Sequence, residues 1–133
     1  VHPDLMIAAN NLASLLIKQN RADTTLLKPF ITQDAPSAIL VNQTVAYLQK
    51  RDFKKANHFA ELLPDNKETE MVKALAAAMD GKYQEAYPTF EKQGGINQVI
   101  LLLSMKQNQK AWEILKSRED TPPARTPSPK NRL

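Results

Sequence analysis

Hydrophobic positions recur along this chain with a helical spacing. Val41, Val45 and Leu48 share one stripe, as do Val72, Leu75, Ala76 and Met79, and as do Ile96, Val99, Ile100 and Leu103. A period of 3.6 residues places each set on a single helix face. Strand signals are missing: no run alternates apolar and polar residues for long, and no Asn-Gly or Asp-Gly pair stands between β-branched runs. The periodic segments are separated by polar stretches or by stretches bearing proline or glycine. These are KQNRAD (18–23), DAPS (34–37), QKRD (49–52), PDNK (64–67), MDGK (79–82), QGG (93–95) and KQNQ (106–109). Start and stop signals agree with that division. Asp65 with Glu68 fits a capping box, Asp23 and Asp34 are candidate N-caps, and Gly94-Gly95 suits a helix end. The pattern predicts an all-α chain of about eight short helices, in four antiparallel pairs starting near residues 6, 37, 67 and 93. Pro29 and Pro88 fall inside predicted second helices. An interior proline costs about 3 kcal/mol, so these helices are expected to kink or to begin later.

One phrase is written twice. KRDFKKANHFAELL (50–63) and MDGKYQEAYPTFEK (79–92) each put an aromatic directly after a polar turn and an alanine three residues on: Phe53 and Ala56, then Tyr83 and Ala86. A period near thirty in an all-helical chain predicts stacked helical hairpins. The aromatic fills the gap between hairpins, and the alanine lets the second helix approach the first closely. No hairpin buries its apolar face alone, so neighbours must stack. The phrase resembles the tetratricopeptide repeat (TPR). Tyr47, Asp52, Phe53 and Ala56 match in the second pair, and Ala74, Gly81, Tyr83, Ala86 and Phe90 in the third. Leu12, Ala13 and Asn20 match in the first pair and Ala111 in the fourth. The family's early tryptophan and closing proline are absent, and the repeats are shorter than usual. The resemblance covers residues 5 to 118 and implies an α-α superhelix whose first helices line a concave, peptide-binding side.

The family's two-carboxylate clamp does not carry over. Its five positions fall on Asn10, Ser14, Asn42, Glu68 and Val72, which lack the required cations and include an acid. The inner strip is apolar instead: Val41, Val45 and Leu48, then Met71, Leu75 and Met79. Methionine adapts to irregular partners, and such a strip suits an amphipathic helix lying in a groove. Asn10 and Asn42 are candidate partner-contacting residues on the concave face, and Asn11 and Asn42, at the same repeat position, are candidates for hydrogen-bonding a partner's backbone or for capping a neighbouring turn. The same strip also suits self-packing or a homodimer interface, which leaves a purely structural module as the alternative.

Composition narrows the function classes. A chain of 133 residues is one domain's worth, with 42% apolar residues and only 3 glycines. With no cysteine, disulfides and thiolate metal sites are excluded. The formal charge is +4, but Arg125, Lys130 and Arg132 stand in an acid-free segment, 121–133. Residues 1–120 are close to neutral, so no basic nucleic-acid platform is expected there. We therefore expect a repeat domain over 1–120 and a proline-rich basic tail over 121–133. The tail, TPPARTPSPKNRL, carries Thr126-Pro127 and Ser128-Pro129 but no P-x-x-P ligand. The apolar run VILLL (99–103) is far too short to cross a bilayer. The chain starts with Val1, which reads as a piece of something longer.

Chemistry-bearing constellations are not found. His2 and His58 are the only histidines and form no ligand pair. Glu68 and Glu70 are two apart on a predicted helix and point different ways. No phosphate-cradling glycine loop or nucleophile motif occurs. Asn42-Gln43-Thr44 matches a glycosylation acceptor inside a predicted helix and is read as chance. The expectation is a non-catalytic scaffold for protein or peptide partners, with no cofactor, metal, nucleic acid or membrane insertion. Alanine-rich hairpins and EKQGGINQVILLLSMK (91–106) also resemble helical-repeat regions of Bacteroidetes cell-envelope proteins. That likeness implies a periplasmic or outer-membrane-associated location.

Overall fold

His2 opens the first helix by accepting the Asp4 N–H at its Nδ1 (3.2 Å), with Pro3 pre-set for the first helical position. From there a computed structural model describes residues 2–119, side chains being described through residue 117. The tail 121–133, with Thr126-Pro127 and Ser128-Pro129, lies outside the described residues, as does the expected domain boundary at 120. Seven α-helices are present among the described residues: α1 (Pro3–Lys18), α2 (Ser37–Gln49), α3 (Phe53–Glu61), α4 (Glu70–Met79), α5 (Tyr83–Gln93), α6 (Gly95–Ser104) and α7 (Asn108–Glu119). A single 3-10 turn, Lys28–Phe30, lies between α1 and α2. The all-α expectation holds, and no strand occurs among the described residues. The chain divides into two compact units, Val1–Lys92 and Gln93–Leu133. In the first, α1 packs on α2, α2 on α3 and α4, and α3 on α4; in the second, α6 packs on α7.

The repeat is written in the backbone at the end of every first helix. Asn20 (φ 57°), Arg51 (φ 63°), Gly81 (φ 86°) and Lys106 (φ 62°) all adopt the left-handed conformation. The next N–H in each case reaches back five residues: Arg21 to Leu16 O, Asp52 to Tyr47 O, Lys82 to Ala77 O and Gln107 to Leu102 O, at 2.8–3.0 Å. The left-handed residue itself donates three residues back, to Ile17, Leu48, Ala78 and Leu103. This is the Schellman arrangement, which satisfies carbonyls left free at a helix end. α3, α5 and α7 each start two residues after the left-handed residue, and three residues further on stand Ala56, Ala86 and Ala111, all at 0% exposure. A larger side chain at any of these fully buried positions would force its neighbours to move.

The first pair departs from this pattern. After Asn20 the chain does not re-enter an α-helix. Asp23 Oδ1 instead accepts the Thr25 N–H (2.8 Å) and its hydroxyl (2.6 Å), and Pro29 sits in the short 3-10 turn. Leu27 and Phe30 stand in for the missing helix, packing with Ala13 of α1 and Ile39 of α2. Pro88, by contrast, lies exposed within α5 without ending it.

Two expected caps are placed elsewhere. α4 starts at Glu70, and the preceding turn is held by Asn66, whose Oδ1 accepts from the Glu68 and Thr69 N–H groups at 2.9 and 3.1 Å. Asp65 pairs with Lys73 at 2.8 Å instead of capping. Pro36, not Asp34, occupies the N-cap of α2. Gly94-Gly95 does separate two helices, and both glycines have positive φ.

Candidate functional site

The shared Schellman end fixes the register of the first helices, and with it the side chains that line up between α2 and α4. Counted back from the left-handed residue, Val45 of α2 and Leu75 of α4 occupy the same position, as do Gln49 and Met79. Where α2 packs against α4, a groove of about 550 Å³ opens, lined by Val45, Leu48, Phe53, Met71, Leu75 and Met79, with Val72, Gln49 and Glu68 completing it. Leu75 and Met79 remain 41% and 43% exposed, so this strip is open surface and not interior. At the turn end, Phe53 carries the Arg51 guanidinium 5.7 Å from its ring centre. Lys50 and Lys54 stand beside it, whereas Glu68 marks the other end of the groove. The groove is therefore apolar along its length, with Asp52 and Asp80 among the cations at its turn end and Glu68 at the start of α4.

Five of the eight sequence-predicted site residues are brought together here: Val45, Leu48, Met71, Leu75 and Met79. Val41 is half-buried one turn earlier on α2 and does not line the groove. Asn10 and Asn42 are placed differently again. Asn42 Nδ2 donates to Asn10 Oδ1 at 2.8 Å and to Ser14 Oγ at 2.9 Å, tying α2 to α1. Gln49 Nε2 adds a bond to Ile17 O at 2.8 Å, at the end of α1. These amides lock two helices of the chain to one another. From its place after the turn, Phe53 is expected only to fill the gap between hairpins. Its half-exposed place at the first position of α3, beside Arg51, also makes it one wall of the groove.

A second depression, of about 190 Å³, lies among α3, α4 and α5 and is polar. Three of its four carboxylates form ion pairs, Asp65 with Lys73 at 2.8 Å, Glu61 with Lys82 at 3.3 Å and Glu70 with Lys92 at 2.9 Å, and Glu85 is the fourth. The Glu61 hydrogen bond and charge raise the Lys82 ammonium above its ordinary pKa. Among the described residues no group of three or more His, Cys, Asp or Glu side chains is arranged to hold a metal ion. His58 is exposed and meets Phe59 edge-on, while Phe59 stacks on Tyr47 at 5.5 Å. None of the described helices is long and apolar enough to cross a membrane.

In the second unit, α6 carries its own apolar stripe. Ile96, Ile100 and Leu103 are about half exposed, while Val99, grouped with them by periodicity, is buried at 2%. Counted from the left-handed residue, Ile96 and Ile100 hold the same positions in α6 that Met71 and Leu75 hold in α4. No protein-family model matches the chain, and no curated protein or solved structure is significantly similar to it.

Proposed function

We propose that this chain is a non-catalytic interaction or assembly scaffold of TPR-like helical hairpins, and that the α2–α4 groove receives an amphipathic helix from a protein partner. The observation that carries the proposal is the open apolar groove, whose residues Leu75 and Met79 stay more than two-fifths exposed. Isolated exposed leucines are ordinary on protein surfaces, but a contiguous lined groove is not. An amphipathic helix meets such a groove with apolar side chains at i, i+3/i+4 and i+7. The TPR reading is supported by four equivalent Schellman ends and by the three fully buried alanines that follow them. No reaction is assigned, because the sequence holds no nucleophile motif or phosphate loop. The compartment we propose, from the likeness to envelope repeat regions, is the periplasm or the outer-membrane periphery.

The test is capture from native lysate by the parent chain and by a Leu75→Glu/Met79→Glu variant. Both side chains are already largely exposed, so helicity by circular dichroism is expected to survive. A partner held by the parent and lost by the folded variant supports the groove. Identical captures by the two proteins would remove it. Unfolding of the variant would instead favour a purely structural role for the strip.

A further inference from the structure

Repeat arrays stay soluble when their terminal units present polar outer faces. In this chain two exposed helix faces are apolar, one on α1 in the first unit and one on α7 in the second. Each is the counterpart of a surface that other repeats bury against a neighbour.

The receiving surface is defined by α2 and α4. Gln43 of α2 donates to Thr24 O of the preceding segment at 2.9 Å, and Lys73 of α4 donates to Leu63 O, just past α3, at 2.7 Å. Counted from the left-handed residue, Leu12 of α1 holds the same position as Gln43 and Lys73, and Leu15 the same as Ala46 and Ala76. Gln43, Ala46 and Ala76 are at most 3% exposed, whereas Leu12 is 45% and Leu15 50% exposed. Leu5, on the same face of α1, is 60% exposed.

The presenting surface is defined by α3. Asn57 and Ala60, its fifth and eighth residues, face α4 across the polar depression and are 4% and 1% exposed. The fifth and eighth residues of α7 are Trp112 and Leu115. Trp112 is 56% exposed, and Leu115 is partly so. A large aromatic thus stands in solvent where its repeat counterpart is buried by the next helix.

We propose that the chain stacks head to tail on a second copy of itself, the Trp112–Leu115 face of α7 in one copy seating on the Leu5–Leu12–Leu15 face of α1 in the next. The contact continues the interface by which α3 already meets α4, and it does not depend on the groove. It is heterologous, so each added copy leaves one presenting and one receiving face unfilled, and the assembly grows until a ring closes or concentration limits it.

Trp112 is the only tryptophan, so its emission reports the contact directly. The experiment is sedimentation velocity and tryptophan fluorescence of the 133-residue chain across a wide concentration range. Mass is expected to rise past the dimer with concentration, and emission to shift to shorter wavelength in step. A Leu12→Glu/Leu15→Glu variant blocks the receiving face, and a Trp112→Lys variant blocks the presenting face. All three positions are exposed, so both variants keep parental circular dichroism. Each is expected to be monomeric alone. Mixed, they are expected to form a 1:1 dimer and no larger species, with the emission shift restored. A parent that stays monomeric at every concentration overturns the proposal. So does failure of the two variants to pair, or self-association by the Trp112→Lys variant alone.

Discussion

The four Schellman ends make a prediction whose magnitude follows from the backbone. All four left-handed positions have φ between 57° and 86°, yet only one, Gly81, is glycine. A residue with a Cβ in this conformation is disfavoured by about 1–2 kcal/mol. A Cβ built on Gly81 meets nothing within 4 Å, so Gly81→Ala brings no clash and its cost is the backbone term alone. The alanine also restricts the unfolded chain, which offsets about 0.4–1 kcal/mol. The net expectation is a destabilisation of about 1 kcal/mol, or a fall in Tm of about 4–8 °C for a unit of this size. The reverse change at Arg51 works against a second term. Arg51→Gly relieves the backbone but removes the guanidinium over Phe53, about 0.5 kcal/mol at an exposed site, so only a small gain remains. Lys106→Gly in α6–α7 is expected to gain more than Arg51→Gly. Urea denaturation followed by helical circular dichroism orders the three: Lys106→Gly above Arg51→Gly, with Gly81→Ala below the parent. A neutral Gly81→Ala, or a destabilising Lys106→Gly, would refute the claim that these positions are equivalent helix ends.

Three further outcomes follow from particular contacts. Asn42→Ala removes donors to Asn10 and Ser14 and is expected to cost about 1–2 kcal/mol of stability by urea denaturation, without weakening partner capture by the folded fraction. Ala86→Leu forces a larger side chain into a fully buried helix contact and is expected to destabilise by about 1–3 kcal/mol, while Gln84→Leu, on the exposed side of the same helix, stays near neutral in the same assay. The Thr25 hydroxyl and N–H hold the Asp23 carboxyl below its ordinary pKa, so its stabilisation is complete above the unfolded pKa and is lost as pH falls through the lower folded value. Acid titration below about pH 4 is therefore expected to cost the parent more stability than Thr25→Val, which lacks the hydroxyl bond.

Much of this fold is legible in the sequence because helical hairpins are built from local signals. The stripes of α2, α4 and α6, the alanines at 56, 86 and 111, and the Gly81 turn all act within a few residues of themselves. What was not legible depends on long-range geometry. Asn42 reads as an inner-face residue by its register, but its amide is drawn to Asn10, thirty-two residues earlier, once α1 and α2 pack. The capping box at Asp65 and Glu68 failed because Asn66, one residue on, competes better for the same N–H groups while Asp65 is held by Lys73. Arg51 and Lys106 gave no hint of left-handed backbone, since neither residue type favours it; the five-back hydrogen bonds hold them there. The groove was half legible: its apolar residues from α2 and α4 follow from periodicity, whereas Phe53 joins only through the way α3 is aimed by its turn.

The most direct test of the groove as a binding face is site-specific photocrosslinking in cells. A photoreactive side chain at position 75, in the groove, is compared with one at position 84, exposed on α5 and outside it. A discrete protein adduct is expected from position 75, absent from position 84 and lost when Met79→Glu is added. No adduct at 75, or the same adducts from both positions, would contradict it.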